Sequence, residues 1–172
     1  MRPDDFDLKA LYAALDRERQ TRGVSWAHAV REMSAPFTRG SSRPLSPSTV
    51  TSLRHKPVAE GDGVLQMLRW LNRAPESFVP GYPEADAAAA RLPNVGPDRV
   101  LRFDTRKLHA ALDARRLERG LTWKHVADEI GGVSVTSLMY LSKGGRTGFP
   151  FVARTTRWLG QPVVRFTRVT SR

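Results

Sequence analysis

The chain repeats itself, and that limits the folds open to it more than any other feature. The segment Phe6-Asp7…Leu11…Ala13-Ala14-Leu15-Asp16…Arg22-Gly23-Val24-Ser25-Trp26-Ala27-His28 returns as Phe103-Asp104…Leu108…Ala110-Ala111-Leu112-Asp113…Arg119-Gly120-Leu121-Thr122-Trp123-Lys124-His125, at a constant offset of 97. Farther along, Leu45-Ser46, Val50, Leu53, Arg69-Trp70-Leu71 and Phe78 match Val133-Ser134, Leu138, Leu141, Arg157-Trp158-Leu159 and Phe166 at an offset of 88. The first copy therefore carries a nine-residue insertion between Met33 and Leu45. Two separated blocks at constant offsets mark a tandem duplication. The boundaries read as a first domain over 1–79 with its insertion at 34–44, a linker over 80–99, and a second domain over 100–172. Pro80-Gly81-Tyr82-Pro83 and Pro93-Asn94-Val95-Gly96-Pro97 bound the Ala-rich linker, where a short helix has room to form.

Each copy reads as helical. Leu8, Leu11, Tyr12 and Leu15 form one apolar stripe at helical spacing. Asp7 is placed to cap that helix at its start and Gly23 to end it; Asp104 and Gly120 repeat both signals. Ser25 and Thr122 then cap a second helix, whose inward faces are Trp26, Val30 and Met33 in one copy and Trp123, Val126, Ala127 and Ile130 in the other. A third helix starts at Ser46-Pro47 and at Ser134, with Val50, Leu53, Leu138 and Leu141 inward. Fourth helices are expected near Gly63–Asn72 and Phe151–Leu159, and a last short turn ends at Phe166. The fold class is all-α: two tandem five-helix domains joined by a Pro/Ala-rich linker.

Charge points to the partner. The 172 residues carry 28 Lys+Arg against 17 Asp+Glu, a formal net charge of +11. Such an excess favours polyanions, nucleic acid first and an anionic membrane second. Arg outnumbers Lys 23 to 5, so a biased base composition is the bland alternative. The excess is uneven: residues 1–79 hold 12 basic and 9 acidic groups, residues 100–172 hold 14 and 5. The second copy should therefore be the stronger polyanion binder.

Other classes of function recede. There is no cysteine, hence no disulfide framework, thiolate metal site or thiol catalysis, and four histidines make a dedicated metal site unpromising. No apolar run reaches the roughly 18 residues of a membrane span. The charged residues after Met1-Arg2-Pro3-Asp4-Asp5 do not resemble a secretory signal, so a cytoplasmic, nucleoid-associated location is expected. No paired carboxylates, Ser/His/Asp set or phosphate-binding Gly loop stands out. The expectation is a non-enzyme without cofactor, metal or evident small-molecule ligand. Trp26, Trp70, Trp123 and Trp158 recur on apolar faces and read as packing residues; His28 and His125 read as surface residues of the second helix.

The order Gly-x-Ser/Thr-Trp into helix two, Ala127 then Gly131 in the turn, Val133-Ser134 opening helix three, and Trp-Leu ending helix four resembles the lambda-repressor-like (Cro-like, XRE) helix-turn-helix family. The resemblance covers about 70 residues in each copy. It departs at Gly131-Gly132, one turn residue more than the family usually has, and at the long 34–44 loop that replaces the tight turn in copy one. It implies a third helix in the major groove and the start of the second helix against the DNA backbone. The base-reading positions would then be Pro47, Ser48, Thr49 and Ser52, and Val135, Thr136, Ser137 and Tyr140. Ser and Thr discriminate poorly among base edges, Val135 or a Thr methyl can meet a thymine methyl, and DNA shape would supply part of the specificity. The phosphate-binding candidates are Ser25, Arg39, Arg43, Arg54, His55, Lys56, Thr122, Lys124, Lys143 and Arg146. Arg39 and Arg43 are placed to act as a minor-groove arm.

The functional expectation is a sequence-specific regulator of transcription, of the repressor kind, that reads an asymmetric double-stranded DNA site as a covalent pseudo-dimer. Two alternatives stand beside it. In one, only domain 2 binds DNA while domain 1 docks a protein partner or self-associates. In the other, nucleic acid is bound without sequence preference.

Overall fold

The structure is a computed structural model that describes residues 5–37, 44–83, 86, 90–96 and 99–171. It is largely α-helical, with eight α-helices and one two-stranded sheet among the described residues. The first copy contributes α1 (Leu8–Thr21), α2 (Trp26–Ser34), α3 (Pro47–Thr51) and α4 (Gly61–Leu71). The second contributes α5 (Thr105–Glu118), α6 (Trp123–Ile130), α7 (Val135–Tyr140) and α8 (Phe149–Leu159). Single 3-10 turns follow α3, α4, α7 and α8 at Ser52–Arg54, Pro75–Phe78, Leu141–Lys143 and Val163–Phe166.

The caps explain where these short helices begin. Asp7 accepts hydrogen bonds from the N–H groups of Lys9 and Ala10, and Asp104 from that of Lys107. Ser25 and Thr122 accept from His28 and His125, and Ser46 and Ser134 from Thr49 and Ser137. Each cap satisfies an N–H that the helix itself leaves unpaired. Gly23 and Gly120 end α1 and α5 with φ of +63° and +61°, a conformation that costs other residues energy.

The duplication extends to side-chain networks. Arg19 binds Asp16, reaches the carbonyl of Val24 and covers the Trp26 ring; Arg116 repeats this with Asp113, Leu121 and Trp123. The Trp70 indole donates to Glu32 at 2.7 Å under the Arg22 guanidinium, and the Trp158 indole donates to Glu129 at 2.9 Å under Arg119. The Trp70 bond holds the Glu32 carboxyl below its usual range, and the Arg119 bond does the same for Glu129. These clamps fix α2 on α4 and α6 on α8. The four tryptophans are half-buried; Trp70 and Trp158 donate their indole N–H groups to glutamates, whereas Trp26 and Trp123 stack on Tyr12 and His109.

The two copies meet in an exchange that has twofold character. Gly61 N–H donates to the carbonyl of Thr147 at 2.8 Å, and Phe149 N–H donates to that of Ala59 at 2.9 Å. These are equivalent bonds at the offset of 88, and they flank an antiparallel bridge between Glu60 and Gly148, themselves equivalent positions. An isologous contact has this signature, in which each partner gives and receives the same bond. Phe149 packs on Phe6 at 4.3 Å between ring centroids and on Phe103 at 5.5 Å. Its counterpart Gly61 has no side chain, and a Cβ there would lie 2.7 Å from the Phe103 ring. A single apolar cluster runs through both copies, including Leu11, Leu15, Leu65, Leu68, Leu101, Leu108, Leu112, Leu138 and Phe149.

Two features depart from the expected all-α pattern and free linker. Residues 99–103 form β1, paired antiparallel with β2 (Thr167–Ser171) in the register Arg99 to Ser171 and Phe103 to Thr167. Val100, Leu101 and Phe103 of β1 are buried. The strand lies partly within the stretch read as linker. Also in that stretch, Ala90 is buried and Arg69 donates to the carbonyl of Val95 at 2.8 Å, so this segment packs on the protein.

Candidate nucleic-acid interface

Both third helices start at the surface. Pro47, Ser48 and Thr49 of α3 are exposed, and Ser52 is partly so. Their hydroxyls are locally tied: Ser46 bonds Ser48 and Thr49 at 2.8 Å each, and Ser52 donates to the carbonyl of Thr49. Val50 and Leu53 point into the core, as the spacing requires.

In α7, Val135, Thr136, Ser137 and Tyr140 are exposed and Leu138 is buried. Met139 belongs to the same outer surface, 41% exposed beside Tyr140 at 52%, a position that its apolar side chain does not signal in the sequence. The two outer faces thus differ in kind: Pro, Ser and Thr in α3 with Ser52 in the turn after it, against Val, Thr, Ser, Met and Tyr in α7.

The supporting turns differ as well. In copy two, Gly131 and Gly132 take φ of +68° and +66°, and four residues separate α6 from α7. In copy one, the long loop is closed at its ends, where Leu45 N–H donates to Ser34 Oγ at 2.9 Å. With α2 packed on α3, and α6 on α7, core packing holds the helix pair in place despite the insertion. Arg39 and Arg43 lie outside the described residues.

The cations gather beside each third helix. The Lys143 ammonium sits 5.4 Å from the centre of the Tyr140 ring. Arg106, at the start of α5, reaches the Lys143 carbonyl, and Thr105 reaches that of Gly145, which brings α5 against the 143–146 loop. Arg106 was not among the sequence candidates, because it stands 37 residues from Lys143 and only packing unites them. In copy one, Arg54 lies over the Tyr12 ring at 5.0 Å, with His55 and Lys56 exposed after it. Among the described residues, Arg54, His55, Lys56, Arg106 and Lys143 form no ion pair with a carboxylate.

The remaining candidates are less available. Lys124 is paired with Asp128 at 2.7 Å, although both are largely exposed. Arg146 shares a small cleft with Glu60, Asp62 and Arg102 beside the bridge between the copies, so part of its charge is offset there. Ser25 and Thr122 are exposed caps, and the Thr122 cap is closed by the His125 ring. Among the described residues no group of three His, Cys, Asp or Glu is arranged to hold a metal ion, and no helix is long and apolar enough to cross a membrane.

Comparison with protein-family models, with curated proteins and with solved structures returned no match. The functional reading therefore rests on the residues and their geometry.

Proposed function

We propose that the chain is a double-stranded DNA-binding regulator of transcription, acting as a repressor, in which two tandem helix-turn-helix units form a covalent pseudo-dimer. The carrying observation is the symmetric exchange at Gly61–Thr147 and Phe149–Ala59, which relates two surface helices that each have cations at their ends. Dimeric regulators of this architecture set two reading helices about one helical turn of DNA apart. Here the relation is built into one chain, so the second unit needs no encounter with a separate partner.

The unlike faces of α3 and α7 favour an inverted pair of different half-sites. The hydroxyl face of α3 suits backbone and degenerate base contacts, while Val135, Met139 and Tyr140 suit thymine methyl groups. Lys143, Arg106, Arg54 and Lys56 would meet phosphates. Selection from a random duplex library tests the reading: an enriched site with two distinct half-sites supports it, and enrichment of none speaks for binding without sequence preference.

A second reading, an adaptor that docks a protein through the α7 face of domain 2 rather than through domain 1, has one observation in its favour. Val135, Met139 and Tyr140 together expose apolar surface that a protein partner could cover. Excess random duplex competing away all binding at low salt, with a protein ligand retained, would favour this adaptor role.

A further inference from the structure

We propose that the cavity at the junction of the two copies binds a small molecule that joins a ring-sized apolar body to a protonated amine, with Glu76 as the group that recognises the amine. The cavity has a volume of about 340 Å³, and both copies line it: Phe6 and Glu76 from the first, Phe149, Trp158 and Val163 from the second, with Tyr82 from the segment that joins them. That is the size and mixed character of a small-ligand site, apolar walls with a few polar groups.

Glu76 is 4% exposed. Its Oε1 accepts a hydrogen bond from the Val163 N–H at 2.7 Å, while Oε2 is buried with no partner among the described residues. A buried carboxylate oxygen without a donor is costly, and the natural remedy is a donor that arrives with the ligand. The repeat does not require an acid here, since the equivalent position in the second copy is Val164. Burial pushes the Glu76 carboxyl upward, opposed by the backbone N–H groups of Val163 and of Glu76 itself. Arg154, which lines the same cavity, is held by both oxygens of Asp5. An ammonium group beside Oε2 would supply the missing donor and the opposing charge together. The aromatic side chains of Tyr82 and Trp158 line the same cavity and supply apolar wall for the ligand's body. An anionic ligand would instead meet the unpaired oxygen of the acid.

The test uses the full chain with three probes of one shape: 2-phenylethylamine, the neutral 2-phenylethanol and the anionic phenylacetate. Calorimetry at near-neutral pH should show the amine binding about tenfold or more tightly than the alcohol, with phenylacetate weakest. Glu76→Gln retains an oxygen to accept from Val163 and should remove the preference for the amine. The wild-type indole N–H resonance of Trp158 should shift on titration with the amine, a readout that does not depend on the variant folding. Equal binding of amine and alcohol, an unchanged preference in Glu76→Gln, or no binding and no Trp158 shift at millimolar amine would each overturn the proposal.

Discussion

Arg154 grips Asp5 across the junction of the two copies, donating from Nε and Nη2 to the two carboxylate oxygens at 2.7 Å each. The third arm of the same guanidinium donates to the Gly132 carbonyl at 3.0 Å, in the turn that leads into α7. The side chain of Asp5 is only 5% exposed and that of Arg154 25%. One side chain thus ties the first copy to the turn that aims the second copy's surface helix. Truncating Arg154 removes two short charge-assisted bonds from a buried carboxylate, which costs more than losing an exposed pair. Arg154→Ala should lower stability by about 2 kcal/mol in urea titration. A loss within the range of ordinary surface pairs would show that this contact does not organise the junction.

Gly61 gives a prediction of opposite sign to its helix position. In an open helix, Gly→Ala adds up to about 1 kcal/mol of stability. Here the new Cβ would lie 2.7 Å from the Phe103 ring and 2.9 Å from the Thr147 carbonyl, on the exchange contact itself. Gly61→Ala should therefore destabilise the chain by about 1–3 kcal/mol. Because the apolar cluster is shared, wild-type unfolding should be one cooperative transition by circular dichroism and by tryptophan fluorescence. Two resolved transitions would mean that the copies fold apart.

The pH dependence of stability should carry the mark of Glu76. Its carboxyl titrates above the ordinary value of 4.5 in the folded chain because it is buried. Tyr82 is nearby and itself raised, first by burial and then by Glu76 and Asp86, while Asp5 and Arg154 offset each other. The folded state thus keeps a proton that the unfolded state gives up, so this group's contribution declines as pH rises from 4.5 through its folded value, then levels off. Thermal melts of wild type and Glu76→Gln should diverge over that window, with the variant gaining relative to wild type toward neutral pH. Parallel curves would contradict the assignment.

Substitutions beside α7 should separate reading from gripping. Thr136→Ala and Tyr140→Ala should change which duplexes are preferred. Lys143→Ala and Arg106→Ala should weaken all duplexes alike and reduce the salt slope by about 1 each. Binding arrays run at two salt concentrations distinguish the classes. A change of sequence preference from Lys143→Ala without a loss of nonspecific affinity would reverse the roles.

Local chemistry was readable in the sequence. Asp7, Ser25, Ser46, Asp104, Thr122 and Ser134 all cap the helices their spacing pointed to, and Gly23 and Gly120 end theirs. Offsets of 97 and 88 also paired the tryptophans, read as packing residues, but not the bonds by which Trp70 and Trp158 hold Glu32 and Glu129, themselves 97 apart. What escaped was long-range. The strand at 99–103 finds its partner about 68 residues away and draws no signal from its own neighbourhood. The same is true of Asp5 with Arg154, of Arg106 with the Lys143 loop, and of the exchange at Gly61 and Phe149. A pairing between distant segments is decided by packing, which periodicity along one segment does not encode.

The salt dependence of affinity for a library-selected duplex tests most directly whether two cationic units grip one duplex together. If both copies contact phosphates, the logarithm of the binding constant should fall with the logarithm of salt concentration with a slope of about −5 or steeper. A slope corresponding to fewer than about 3 released counterions would contradict a two-unit grip on DNA.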